Sequence, residues 1–329
     1  MMLSIDEKHT IEPVIVSASR STDIPAFYVD WMLSRLRQGY CMWLNPFNRA
    51  EFKVSFEDTR LIVFWSKNPR PMLGRLDEME SIGFRQYYFQ FTLNDYVADG
   101  LEPNVPSVDE RIDTFRRLVD RIGKERVIWR FDPLLLTDKI SVDALIERIA
   151  KIGRQLKGYT EKLVFSFVDI APYRKVQRNL AGLGCHEFTA EAKVKFAESL
   201  VELNEELELE LATCAEAIDF STYGIAHNKC IDDELMLRVF NSDEKLMAFI
   251  GAERDIFGRW SIGKSKKDKG QRKSCGCVTS KDIGMYNTCP HLCRYCYANT
   301  TDSIVLANCN RHRIDPKGEF LIPVQGGEQ

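Results

Sequence analysis

Residues 275–298 read CGCVTSKDIGMYNTCPHLCRYCYA. Cys289, Cys293 and Cys296 form a Cys-x3-Cys-x2-Cys motif, with the aromatic Tyr295 directly before the last cysteine. Three thiolates at these spacings can wrap one corner of a cubane from a single loop, and cysteine thiolates are what hold iron–sulfur clusters. No fourth cysteine follows at ferredoxin spacing, so a three-cysteine 4Fe-4S cluster would keep one iron open to another ligand. Zinc is the alternative, because thiolates also suit it, although zinc sites more often use paired Cys-x2-Cys. Cys275 and Cys277 form a Cys-x-Cys beside this motif, while Cys214 ends a predicted strand and Cys230 follows 16 residues later. These four suffice for a second iron–sulfur cluster or a zinc site. The plainer alternative makes Cys214 and Cys230 small buried apolar residues. Cys309 is a candidate substitute ligand, and Cys41 and Cys185 are expected to be inert.

The elements that must position these residues alternate along the chain. Strands are expected at 13–17, 41–44 with 52–56, 61–66, 87–93, 126–131, 163–168 and 207–213. Helical spacing of apolar residues predicts helices over 25–38, 70–82, 107–122, 141–156 and 189–206. Asp23 and Ser141 are predicted N-caps, and Ser107 with Glu110 reads as a capping box. Such alternation argues for a parallel sheet covered by helices, either a (β/α) TIM-like barrel or an open doubly wound sheet. No Gly-x-Gly-x-x-Gly follows a strand, which weakens the dinucleotide-binding version.

The strand ends favour the barrel. Polar residues gather there: Arg20 and Asp23, Asn45, Lys67 and Asn68, Gln90, Arg130, Asp169, and Glu216. In a barrel these ends share the face on which active sites lie. The expected organisation is a barrel over 1–260 with a basic, cysteine-rich segment over 261–329 packed on it as one integrated domain. Asp282–Tyr286 (DIGMY) could be a late strand that feeds the cysteine loop and closes the barrel beside 13–17, giving a permuted strand order. Glu216 and Asp169 could serve as acid or base, or each could form an ordinary ion pair. His186, His227 and His312 lack ligand spacing.

The chain has 329 residues, 44% of them apolar and 28% charged, which excludes a disordered or collagen-like chain. Ten cysteines are too few for a disulfide scaffold of this length. The net charge is −3, yet residues 259–317 carry 12 Lys or Arg against 4 Asp or Glu. Gly263–Lys273 (GKSKKDKGQRK) holds most of that density. It is either a solvated loop or a counter-charge for a thiolate cluster or an anionic substrate. Nucleic acid is a weaker candidate partner for it. No signal peptide and no apolar run long enough to span a membrane is present, so a cytoplasmic protein with reduced thiols is expected.

Several long motifs carry a family resemblance: SASRSTDIPAFY (17–28), NPFN (45–48), FWSKNP (64–69), YYFQFTL (87–93), WRFDP (129–133), FSFVD (165–169), TCAE (213–216), CID (230–232) and QRKSCGC…DIGMYNTC…CRYCYAN. Nearly end to end, the chain resembles an uncharacterised prokaryotic family, domain-of-unknown-function family 1848. That family's C-terminal cysteines are described as similar to the cluster motif of the radical S-adenosylmethionine superfamily, Cys-x3-Cys-x-aromatic-Cys. The resemblance implies a 4Fe-4S cluster on Cys289, Cys293 and Cys296 whose open iron chelates S-adenosylmethionine. It also implies an external electron donor and cleavage of the sulfonium to a deoxyadenosyl radical. Arg20, Asp23, Lys67, Arg130, Asp169 and Glu216 are then candidate catalytic groups, and Tyr295, Asn68, Gln90 and Asn45 candidate cofactor contacts. A non-radical iron–sulfur protein for electron transfer or partner binding, and a zinc-stabilised binding protein, are the alternatives. The superfamily carries its cysteine loop near the N-terminus of the core, whereas here the loop lies near the C-terminus. Leu292 stands where a small residue is expected. The final Gly326-Gly327-Glu328 resembles a glycine-rich motif of the superfamily but has no strand before it. The family supplies no reaction and no substrate.

Overall fold

The computed structural model of the chain describes residues 9–263 and 266–323. Eight strands make the main sheet: β1 (Ile15–Ala18), β2 (Leu61–Ser66), β3 (Tyr87–Thr92), β4 (Val127–Leu134), β5 (Lys162–Phe167), β6 (Glu210–Thr213), β7 (Ala226–His227) and β8 (Lys281–Asp282). Their order is β7-β6-β5-β4-β3-β2-β1-β8. The β8–β1, β1–β2, β3–β4, β4–β5, β5–β6 and β6–β7 pairs are all parallel. IVSA in β1 and LIVFWS in β2 are buried almost throughout, as strands of parallel sheets are.

The expected TIM-like barrel is not found. No closed barrel is detected: the strand order runs out at β7 and at β8, and among the described residues no ladder joins them. Closure needs a continuous ladder of tilted strands, and each edge strand is only two residues long. Between them the chain spends residues on short helices and on the antiparallel hairpin Ala252–Arg254 with Trp260–Ile262. Barrels and open sheets share the β/α alternation, so sequence periodicity could not separate them. The late strand lies beside the first, with Lys281 opposite Val16 and Asp282 opposite Ser17, but it is Lys281–Asp282 and shares only Asp282 with the expected Asp282–Tyr286.

The chain divides into two compact units. The first comprises Met1–Tyr87, Ser280–Leu292 and Ala298–Gln329; the second comprises Tyr88–Thr279 and Cys293–Tyr297. In the first, β8, β1 and β2 are joined by a small sheet in which Glu51–Ser55 lies between Thr10–Ile11 and Tyr40–Leu44. The helix expected over 25–38 is split at Tyr28 into Ile24–Phe27 and Val29–Gln38. The one expected over 70–82 is split into Arg70–Leu73 and Leu76–Ile82.

The second unit holds β4 to β7, most of β3, and the helices Val108–Ile122, Val142–Leu156 and Ala190–Leu207. Ser107 and Glu110 form the predicted capping box, and Ser141 accepts from the Ala144 amide. Phe91 packs on Phe115 and Phe165 on Phe196, with ring centroids 5.1 and 5.3 Å apart. Each such buried ring contributes about 1.5–3 kcal/mol.

Candidate metal centre and its surroundings

In the first unit the chain leaving β1 holds the approach to the cysteine loop. Asp282 Oδ2 accepts from Ser17 Oγ and from the Arg20 amide, both at 2.8 Å. Thr22 Oγ1 donates to the Met285 carbonyl at 2.8 Å and lies 2.7 Å from Thr288 Oγ1. Gly284 passes so close to Ser19 that a β-carbon there would stand 1.8 Å from its hydroxyl, so only glycine fits. The Asn299 amide donates to the Cys289 carbonyl at 2.9 Å.

Asp23 is the hub of this unit. One carboxylate oxygen accepts from the Ala26 amide at 3.0 Å, making the predicted N-cap, and from Ser66 Oγ at 2.7 Å. The other accepts from the Lys67 amide at 2.7 Å and meets His291 Nε2 at 2.8 Å. Asp23 thus ties the first helix, the end of β2 and the cysteine loop together. His291 was missed in the sequence, although its place between Cys289 and Cys293 was a signal. The remaining first-unit candidates lie at strand ends. The Arg20 guanidinium lies over the Trp65 ring at 5.1 Å and its Nη2 reaches Ser280 Oγ at 3.5 Å. The Asn68 amide donates to Ser66 Oγ at 3.0 Å, and Asn45 Oδ1 caps a turn by accepting from the Phe47 amide at 2.9 Å.

Lys281 of β8 sits on the Trp43 ring, its Nζ 3.0 Å from the centroid. Burial pushes its ammonium down to about 8, against the opposing pull of Asp282 and Cys41. An unfolded lysine keeps its proton to about pH 10.4. Between those values the unfolded chain binds more protons than the folded one, so this residue's contribution to stability rises with pH across that window. Wild-type stability relative to Lys281→Met is therefore expected to increase from pH 8 to pH 10 in urea titrations. A pH-independent difference would sink this assignment. Cys41 is fully buried, and its thiol is pushed up to about 12 by that burial.

In the second unit, Cys293 and Cys296 share a tight turn in which the Cys296 amide donates to the Cys293 carbonyl at 3.1 Å. The Arg294 amide donates to the Leu101 carbonyl at 2.9 Å. Tyr295 is buried between them. Its hydroxyl donates to Glu102, and Asn94 Nδ2 lies 3.2 Å from its oxygen. The motif's aromatic residue is therefore an anchor for the turn, and its burial pushes the phenol far above its ordinary pKa.

The same unit gathers the other four candidate cysteines, all reduced. Cys214 follows β6, and its Sγ lies 3.5 Å from Cys230 Sγ. Cys277 Sγ accepts from the amides of Cys230 and Ile231 at 3.2 and 3.4 Å. Hydrogen bonding with Cys277 draws the Cys275 thiol down to about 7, against the effect of burial. Among the described residues, no three His, Cys, Asp or Glu side chains already surround a common metal position.

Arg130 is turned to this cluster. Its Nη1 donates to Cys230 Sγ at 3.0 Å and to Gln90 Oε1 at 3.1 Å, and it is paired with Asp132. Burial would lower its pKa, but the neighbouring Cys230 and Asp132 outweigh that and hold it charged. Gln90 Nε2 and Tyr88 Oη both donate to the Cys230 carbonyl, at 2.9 and 2.7 Å. Asn228 Nδ2, which the sequence did not single out, donates to Cys230 Sγ at 3.3 Å. Asp169 pairs with Arg272 at 2.8 Å in a half-exposed contact. Glu216 Oε1 accepts from the Phe167 amide at 2.9 Å, Oε2 lies 3.6 Å from Lys193, and burial raises its pKa. The ionic partners of these carboxylates are thus Arg272 for Asp169 and Lys193 for Glu216, while Arg130 pairs with Asp132.

Cys309 Sγ lies 3.6 Å from Tyr28 Oη in the first unit. His186 pairs with Asp138, His227 lies 3.4 Å from Thr213 Oγ1, and His312 Nδ1 lies 2.8 Å from the Leu321 carbonyl. Gly326-Gly327-Glu328 lies outside the described residues, as do Lys264 and Ser265 of the basic stretch. No helix among the described residues is long and apolar enough to cross a membrane.

A family model described as Domain of unknown function (DUF1848) matches residues 15–298. No curated protein matches the chain.

Proposed function

The chain belongs to the DUF1848 family, and from that premise we propose that Cys289, Cys293 and Cys296 hold a 4Fe-4S cluster that binds and reductively cleaves S-adenosylmethionine. The observation that carries the reading is Cys-x3-Cys-x-Tyr-Cys on one short loop, with all three residues thiols rather than disulfides. The donor set fits, since three soft thiolates suit iron–sulfur and leave one iron without a protein ligand. When bound, such a cluster supplies the electron that breaks the sulfonium bond.

The protein's own part is to hold the loop and exclude water. Thr22, the Asn299 side chain and Asp23 hold Thr288, Cys289 and His291 in turn, and so fix the segment around Cys289. Buried Tyr295 fixes the turn that carries Cys293 and Cys296. Arg20, Lys67 and Asn68, at the ends of β1 and β2, are the candidate contacts for the carboxylate of the methionine moiety.

Anaerobic purification followed by iron and sulfide analysis tests the cluster. About four iron and four labile sulfide per chain are expected from a cubane. A chain that takes up zinc alone, with no sulfide, would overturn the reading.

A further inference from the structure

Cys214, Cys230, Cys275 and Cys277 lie outside the three-cysteine motif and inside one compact unit. They come from three separate stretches: the end of β6, the turn after β7, and the Cys-x-Cys segment. We propose that these four thiols form a closed mononuclear zinc site that pins those three stretches together. The proposal does not rest on the iron–sulfur reading of the other motif, and either can fail alone.

Distance separates the mononuclear site from its rivals. Two thiolates on one zinc stand about 3.8 Å apart, given ~2.3 Å Zn–S bonds at the tetrahedral angle. Cys214 and Cys230 Sγ are 3.5 Å apart, close to that value. A disulfide would bring them to about 2.05 Å. Thiolates on a cubane each take a different iron and stand farther apart than two ligands of one ion. Cys277 Sγ is held beside this pair by the Cys230 amide at 3.2 Å, and Cys275 lies two residues before it in the Cys-x-Cys. Side-chain rotation of these neighbouring thiols would gather them on one ion, with each thiol giving its proton to solvent.

The surroundings suit thiolates rather than neutral thiols. Four N–H donors are aimed at two of the sulfurs: Arg130 and Asn228 at Cys230, and the amides of Cys230 and Ile231 at Cys277. Such outer-shell donors orient ligands and spread their charge. A tetrathiolate zinc carries a net charge of about −2, and the buried guanidinium of Arg130 faces it directly. Four protein thiolates leave no open position, so the site is structural.

The test uses the full chain, purified without air. X-ray absorption at the zinc edge of the wild type is expected to show one zinc with four sulfurs at ~2.3 Å. The zinc should persist in a variant with Cys289, Cys293 and Cys296 all replaced by alanine, which carries no labile sulfide. Adding Cys230→Ser to that background should lower the zinc retained against a chelator at least tenfold. Wild type purified without zinc, or iron with labile sulfide in the triple variant, would overturn the proposal. So would a Cys214–Cys230 disulfide in the anaerobic protein. The wild-type spectrum decides the matter even if a variant fails to fold.

Discussion

Replacing Cys289, Cys293 and Cys296 together with alanine is expected to abolish labile sulfide and reduce S-adenosylmethionine cleavage to background. A cubane held by three protein thiolates has no other protein ligand to fall back on, and the motif supplies all three within eight residues. The fold should survive the change. Cys293 is buried in a loop turn and the other two are half-exposed. Removing such a thiol falls within the usual ~1 kcal/mol of a point change. The turn is held by backbone bonds and by the Tyr295 anchor rather than by sulfur alone. Urea midpoints close to wild type, together with lost sulfide and lost 5′-deoxyadenosine, are the expected pattern. Retained sulfide in the triple variant would move the cluster to other ligands.

Asp23→Ala is expected to cost about 3–5 kcal/mol of stability, the range for removing one partner of a buried, fully hydrogen-bonded charge. Four donors meet this one carboxylate: two backbone amides, Ser66 Oγ and His291 Nε2. Truncation leaves the Lys67 amide and the Ser66 hydroxyl without their acceptor, and unmade buried hydrogen bonds are where the cost lies. The helix beginning at Ile24 also loses its cap, itself worth about 1 kcal/mol. Asp23→Asn keeps one acceptor oxygen and should lose less. Urea unfolding measures both. Hydrogen exchange at residues 284–291 should quicken in the alanine variant, because the hub holds that segment through His291. A loss below 1 kcal/mol with unchanged exchange would show that the hub carries little.

The sequence was most legible where chemistry constrains spacing. Asp23, Ser107 and Ser141 were readable as caps because each is a short polar side chain directly before an apolar helical stretch. A late strand beside β1 was readable from the stretch that feeds the cysteine loop, but its bounds were not: Lys281–Asp282 pairs, whereas Asp282–Tyr286 was expected. Barrel closure was not readable, because it depends on whether two-residue edge strands meet, and β/α periodicity is blind to that. The helix Asp302–Ile314 escaped notice because it buries one residue, Val305, and so shows no apolar stripe. Its only local signal was Thr301, which caps it by accepting from the Ile304 amide at 3.3 Å. Asp23, Arg130 and Glu216 were readable as polar residues at strand ends, but their partners were not: the Lys67 amide, Cys230 Sγ and the Phe167 amide are set by the fold. The second cysteine group was legible as four residues but not as neighbours, because its members lie up to 63 positions apart and only the fold brings Cys214 and Cys277 to Cys230.

The most direct test of the central claim is S-adenosylmethionine cleavage by the anaerobically reconstituted wild-type chain under a strong reductant. The account predicts that 5′-deoxyadenosine and methionine accumulate, and that the electron paramagnetic resonance of the reduced cluster changes when S-adenosylmethionine is added. A chain carrying its full iron and sulfide, with S-adenosylmethionine left intact and that resonance unchanged by it, would contradict the account.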